Sequence, residues 1–116
     1  MKFLLLASFV LFGSCAFSQT QVELNESAHK EYLKKDAELN KVYKKLVAKL
    51  GASKDKDLLV KAQRAWIAYR DAHCAYTESS YEGGSMQPLV YSGCMRQVTE
   101  ERIKQLKEAI EERVSK

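Results

Sequence analysis

The segment that most constrains this chain lies at residues 62–74, where the sequence reads AQRAWIAYRDAHC. It carries the only tryptophan of the chain and ends in Cys74. A second cysteine, Cys94, follows just beyond a Gly83-Gly84-Ser85 turn. A disulfide between the two would close a loop of about 20 residues and stabilise a small domain by about 3 kcal/mol. The segment therefore predicts a helix that is tied across a turn to the next helix.

The first 18 residues have the pattern of a secretory signal peptide. A positive start at Met1-Lys2 precedes an apolar stretch, residues 3–12, that is too short to span a bilayer. The sequence Ala16-Phe17-Ser18 then fits a small-x-small cleavage site, which leaves Gln19 as the first mature residue. A lipoprotein signal ending before Cys15 is the alternative. We expect a periplasmic or secreted protein that contacts a membrane only if Cys15 is lipidated.

Residues 19–116 are long enough for one small domain. Two cysteines remain in this segment, and in an oxidising compartment they favour a disulfide over a metal or redox pair. The whole chain has 19 basic and 15 acidic residues, and the two signs are interspersed along the sequence. Nucleic-acid binders concentrate their positive charge on one face, so we expect no nucleic-acid partner.

Apolar residues recur at helical spacing in three segments, and no stretch alternates like a β-strand. A capping box at Thr20 and Glu23 is predicted to open the first helix, and Gly51 to follow its end. Ser53 suits the N-cap of the second helix, and Pro88 suits the first turn of the third. The predicted apolar stripes are Tyr32, Leu39, Tyr43, Leu46 and Leu50; Leu58 or Leu59, Ala62, Trp66 and Tyr69; and Met95, Val98, Ile103, Leu106, Ile110 and Val114.

These stripes predict an all-α fold, a small antiparallel bundle of three long helices with a disulfide-closed loop between helices 2 and 3. No catalytic arrangement accompanies them. His73 neighbours Cys74, but adjacent side chains on a helix point about 100° apart. The cysteines and histidines also lack the spacing of a metal site. We therefore expect no enzyme activity, no metal and no cofactor.

Polar residues beside the apolar stripes predict a structural network between the helices. Arg70 follows Trp66 by four residues, so its guanidinium can reach the indole in a cation–π contact. Asp71 is then free to pair with Arg102 on the third helix, which would fix the helix register. The predicted network consists of Asn40, Gln63, Trp66, Arg70, Asp71 and Arg102.

The predicted loop from Ala75 to Tyr91 is rich in tyrosine, and its only charged residues are glutamates. Two interpretations remain open: the loop packs back onto its own helices, or it is presented to a partner. The tyrosines keep the second interpretation open, because their rigid amphipathic rings suit interfaces. The candidate binding residues are Tyr76, Glu78, Tyr81, Glu82 and Ser85.

Together these residues resemble the LprI-like lysozyme-inhibitor domain family of exported bacterial proteins. The resemblance spans about residues 21–106, and its most specific part combines Gln63-Arg64-Ala65-Trp66 with Arg70-Asp71 and Cys74. It also includes Leu39-Asn40, Tyr43, Gly83-Gly84-Ser85, Cys94 and the stretch from Thr99 to Leu106. Family members often carry a cysteine where this chain has Ser27. The resemblance therefore implies a single Cys74–Cys94 bridge.

The resemblance implies a non-enzymatic exported domain that inhibits lysozyme, and we expect binding through the 75–91 loop. Common lysozymes are strongly basic, so the net charge of +4 on this chain argues against long-range attraction. The alternative is a periplasmic interaction or stress-protection module that binds another envelope protein or a cell-wall component. The sequence leaves the oligomeric state open.

Overall fold

The computed structural model describes the backbone of residues 15–114 and the side chains of residues 20–113. This part of the chain forms three α-helices and no strand: α1 (Cys15–Leu50), α2 (Lys54–Ser79) and α3 (Gln87–Val114). The predicted all-α bundle is confirmed. None of the described helices is long and apolar enough to cross a bilayer. Most of the predicted signal peptide, residues 1–14, lies outside the described residues.

The third helix is the centre of the bundle, because it packs against both other helices while α1 and α2 contact each other least. Leu46 of α1 and Ile110 of α3 share one end of the core, so these two helices run parallel. The Nη1 atom of Arg113 in α3 lies 3.2 Å from the Oδ2 atom of Asp55 at the start of α2. The second helix therefore runs antiparallel to the other two.

The ends of α1 and α2 follow local sequence signals. Gly51 adopts φ +60°, and its N–H donates to the Val47 carbonyl oxygen at 3.2 Å. That is the left-handed C-terminal cap which glycine favours. The Ser53 Oγ accepts the Lys56 N–H at 3.1 Å, as predicted for an N-cap. The capping box at Thr20 is wrong, because α1 already includes residues 15–19, which contain no helix breaker.

The predicted 75–91 loop is mostly helical, which corrects the sequence interpretation. Its first residues complete α2 and its last residues begin α3, so only residues 80–86 connect the helices. The N–H of Tyr81 donates to the Glu78 carbonyl oxygen at 2.8 Å, and Gly83 turns the chain with φ +76°. No glycine or proline precedes Gly83 in this segment, so α2 continues to Ser79, within the end predicted for it between Thr77 and Tyr81.

Two buried clusters form the core. One consists of Leu39 and Leu46 from α1 and Ile103, Leu106 and Ile110 from α3. The other consists of Cys74, Met95 and Val98, with Tyr32 and Trp66 packed against it. The predicted disulfide joins Cys74 to Cys94, with Cα atoms 5.6 Å apart. The stripes predicted for α1 and α3 are confirmed over the residues whose side chains are described.

The stripe predicted for α2 is wrong at two of its four positions. Ala62 and Tyr69 are exposed, the latter by 58%, whereas their neighbours Gln63 and Arg70 are buried. Trp66, which packs against both clusters, and Leu59, which packs against the first, face inward as predicted. Long polar side chains tolerate burial when their polar atoms are hydrogen-bonded. Gln63 accepts from Arg102, and Arg70 donates to Asp36. The inner face of α2 therefore combines the polar residues Gln63 and Arg70 with apolar ones.

A surface ion-pair network links α1 to α3. The Glu38 carboxylate accepts from the Nζ atoms of Lys107 at 3.1 Å and Lys35 at 3.3 Å. These two hydrogen bonds hold the pKa of the Glu38 carboxyl below its usual value, and the bond from Lys107 has the larger effect. All three side chains are solvated, so the pairs contribute little to stability.

Candidate functional site

Arg70 is the hub of a polar network at the centre of the bundle. Its Nη1 atom donates to Asp36 Oδ1 at 3.1 Å and to Thr99 Oγ1 at 3.4 Å, which joins all three helices. Its Nε atom donates to Asp71 Oδ1 at 3.1 Å. The guanidinium carbon lies 5.0 Å from the Trp66 ring centroid, a cation–π distance that agrees with the predicted contact.

A second arginine completes the network from α3. The Nε atom of Arg102 donates to Gln63 Oε1 at 2.9 Å, and its guanidinium carbon lies 5.9 Å from the Trp66 ring centroid. The predicted pair between Asp71 and Arg102 does not form, because Asp71 bonds the neighbouring Arg70. Asn40 is exposed on α1 and stands outside the network of the described side chains.

The pKa values of the two arginines shift in opposite directions. Burial is the largest influence on the Arg70 side chain and opposes its charge. Tyr32 and the hydrogen bonds to Asp71 and Asp36 outweigh burial and raise the pKa of Arg70. Burial alone lowers the pKa of Arg102. Arg70 therefore stays charged inside the bundle, and the network is a structural connection between helices.

Sequence reasoning missed three members of this network. Tyr32 was predicted only as an apolar stripe residue, yet its ring centroid lies 5.8 Å from the Arg70 guanidinium carbon. Asp36 follows Tyr32 by four residues on the same face of α1, a spacing that was available in the sequence. Thr99 is fully buried beside Val98, and only the packed structure reveals its contact with Arg70.

The candidate binding residues lie together at one end of the bundle. We define the acidic tip as residues 20–31 and 71–94, which the fold brings side by side. The Nδ2 atom of Asn25 on α1 donates to the Ser85 carbonyl oxygen at 3.1 Å, and the Gly83 N–H donates to Gln87 Oε1 at 3.1 Å. These bonds hold the connection between α2 and α3 against the end of the bundle.

Aromatic side chains at the acidic tip point into solvent. Tyr76, on the last turns of α2, is 76% exposed, and Tyr81 in the connection is also exposed. Glu82 and Ser85 are exposed beside them, while Glu78 is half-buried on α2. The five candidate residues thus lie at one end of the bundle, although Tyr76 and Glu78 belong to α2 instead of a loop and point about 200° apart around it.

The tip continues into a shallow groove between α2 and α3 that sequence reasoning did not identify. The rings of Tyr69 and His73 stack there, with centroids 5.5 Å apart and an interplanar angle of 17°. Tyr69 was predicted as a core residue, so its aromatic surface was overlooked. The groove is lined by Tyr69, His73, Thr77, Val90, Gln97 and Glu101 among others.

Charges of opposite sign are separated along the bundle. The acidic tip contains six acidic residues and one lysine, a net formal charge of −5. At the opposite end, residues 41–64 contain eight lysine or arginine residues and two aspartates, a net formal charge of +6. The two signs are interspersed along the sequence, yet their balance differs between the two ends of the bundle.

No metal centre is evident in the part of the chain that the structure describes, since no group of three histidine, cysteine or acidic side chains is placed to hold an ion. What the acidic tip presents is a rigid, negatively charged surface with exposed tyrosines. Such a surface is suited to contacting a protein partner.

Comparisons with known proteins identify a family for the chain. A sequence model of the family described as "Lysozyme inhibitor LprI" matches residues 14–106. An uncharacterized protein of Rhizobium meliloti (strain 1021) is 41% identical over 110 residues, which cover 84% of this chain and 78% of the relative. No solved structure matches the chain.

Proposed function

The chain belongs to the lysozyme inhibitor LprI family, and from this premise we propose that it binds lysozyme through the acidic tip and inhibits it. The proposed inhibitor is not an enzyme: it acts by occupying the surface of its target. The observation that carries the proposal is the separation of charge, which places a net charge of −5 around the exposed tyrosines.

Charge separation removes the objection raised by the positive net charge of the whole chain. The ends are about 40 Å apart, because the 26 residues of α1 from Asn25 to Leu50 each rise about 1.5 Å. Salt screens charges beyond about 8 Å at physiological ionic strength. A basic lysozyme approaching the tip therefore experiences the local negative charge, which speeds association and orients the encounter.

The tyrosines at the tip supply the contact area that charge alone does not. Exposed aromatic rings are frequent binding hot spots, because they bury a large surface with little loss of conformational freedom. The hydrogen bonds that Asn25 and Gly83 make hold the connection between α2 and α3 in place before binding. We propose that Tyr81 enters the substrate cleft of lysozyme and blocks access to its catalytic carboxylates.

The test measures lysozyme activity on cell walls with increasing amounts of the oxidised protein. We expect saturable inhibition near stoichiometric amounts. Tyr81→Ala should raise the inhibitory concentration about tenfold, as for an interface hot spot. Glu82→Lys should weaken inhibition mainly by slowing association and should make it less sensitive to salt. Glu111→Lys is the matched control, since it makes the same charge change on an exposed residue far from the tip.

Two results would contradict the proposal. Equal inhibition by Tyr81→Ala, Glu82→Lys and the control would remove the tip from the binding surface. Absence of inhibition at large excess, across several lysozyme types, would remove lysozyme as the partner. The function would then be that of an interaction or stress-protection module, whose envelope partner is to be sought by pull-down.

A further inference from the structure

The end of the bundle opposite the tip carries an excess of positive charge: residues 41–64 and residues 104–113 of α3 together contain eleven lysine or arginine residues and five acidic residues. We define the basic end as residues 41–64. Leu46 and Leu50 face the core here, so the lysines of α1 lie on its outer side. The exposed cations that matter for the argument are Lys41, Lys44, Lys45, Lys49, Lys54 and Lys61.

Salt bridges do not neutralise this group. Among the described residues, Lys34, Lys35 and Lys107 each pair with a glutamate, but none of the six exposed lysines of the basic end has an acidic partner within 4.0 Å. Asp55 is directed toward Arg113 of α3. The positive charge is therefore available to an external anionic surface.

We propose that the basic end docks on a bilayer surface that contains anionic phospholipids, without requiring a lipid anchor. Clustered lysines bind such surfaces through the sum of many weak attractions. Each lysine near the surface raises the affinity for the bilayer about fivefold. Lysine is a compact point charge that suits a diffuse layer of head groups, whereas arginine dominates where one phosphate is recognised by a fixed geometry. Seven of the eight basic residues in this segment are lysines.

An exposed apolar side chain supports a bilayer over a soluble polyanion. Leu58 is 55% exposed and lies on the same side of α2 as Lys54 and Lys61, which are four residues before it and three after it. An apolar residue among cations can enter the boundary between head groups and acyl chains while the ammonium groups remain in water. A soluble polyanion has no apolar layer to receive this side chain.

Docking at the basic end also determines the orientation of the molecule. The acidic tip is repelled by the same lipids and would point away from the bilayer, about 40 Å from it by the length of α1. The surface proposed above for lysozyme would then face the solution. The membrane proposal stands on the basic end alone and does not depend on the inhibition of lysozyme.

The experiment is co-sedimentation of residues 19–116, without the predicted signal peptide, with vesicles of three parts phosphatidylcholine to one part phosphatidylglycerol, compared with pure phosphatidylcholine. The test variant carries Lys41→Gln and Lys45→Gln. The matched control carries Lys30→Gln and Lys34→Gln, which removes the same charge at the same spacing from the same helix, outside the basic end. Glutamine is a good helix former, so both variants are expected to fold.

We expect phosphatidylglycerol to increase binding, added salt to weaken it, and the test variant to bind about 25-fold more weakly while the control changes less than about twofold. Equal losses in the two variants, or binding that is indifferent to phosphatidylglycerol, would overturn the proposal. Tighter binding to duplex DNA than to vesicles at equal phosphate would also overturn it, in favour of a soluble polyanion. The test variant should inhibit lysozyme like the parent chain, which separates the two proposals.

Discussion

Replacing Arg70 with alanine tests how the three helices are held together. The side chain is only 8% exposed and reaches one acceptor on each of the three helices: Asp36 on α1, Asp71 on α2 and Thr99 on α3. Its guanidinium also lies over the Trp66 ring. Removing it deletes all of these contacts at once and leaves a space in the middle of the bundle.

The structure indicates the size of the loss. Breaking a fully buried ion pair costs about 3–5 kcal/mol of unfolding free energy, because the remaining charge stays unpaired and desolvated. Here Asp36 is 35% exposed and Asp71 is 53% exposed, so water can solvate both carboxylates once Arg70 is gone. We therefore expect the lower bound, about 3 kcal/mol, which corresponds to a fall in Tm of roughly 12–20 °C for a domain of this size.

Arg64→Ala is the matched control, because Arg64 lies on the same helix, is exposed and loses the same atoms. It should change the unfolding free energy by less than about 0.5 kcal/mol. Arg70→Met should lose less than Arg70→Ala, since an apolar side chain of similar length refills the space without a charge to desolvate. Thermal and urea unfolding followed by circular dichroism measure all three variants. Equal shifts for Arg70→Ala and Arg64→Ala would refute the structural role of the network.

Two further predictions concern the covalent and backbone features of the fold. Replacing Cys74 and Cys94 with serine should lower the unfolding free energy by about 3 kcal/mol, and labelling of either cysteine in the unreduced protein would contradict the disulfide. Gly51→Ala should lower the unfolding free energy by about 1–2 kcal/mol in urea unfolding, because φ is +60° there. The space around Gly51 is open, so the loss comes from the left-handed backbone conformation and not from a clash. Gly93→Ala, in the middle of α3 and also in open space, should instead stabilise by about 1 kcal/mol, and a matching loss at both glycines would refute the backbone argument.

Helix ends and apolar stripes were predictable because they depend on neighbours in the sequence. Ser53 caps α2 through a residue three positions away, and Gly51 ends α1 through its own backbone angle. The buried residues of α1 and α3 follow the helical period, since both helices bury an apolar face. The pairing of Cys74 with Cys94 followed from having two cysteines on consecutive helices.

The buried face of α2 was not predictable in the same way. Periodicity favoured Ala62 and Tyr69, because an apolar residue is expected inside and a charged one outside. Arg70 is buried instead, since Asp36 and Thr99, which lie 34 and 29 residues away in the chain, compensate its charge. A pattern within one helix does not contain the partners that make such burial possible.

By itself, the sequence determined an all-α chain, the caps at Gly51 and Ser53 and the disulfide that joins two of the helices, because these features arise from local spacing and chemistry. Only the tertiary structure decided that Gln63 and Arg70 lie on the inner face of α2 and that acidic stretches distant in the sequence meet at one end. Both outcomes depend on which helices run side by side and in which direction. The antiparallel packing of α2 brings its acidic C-terminal part beside the start of α1, and this places the exposed tyrosines on a negative surface although the chain as a whole is positive.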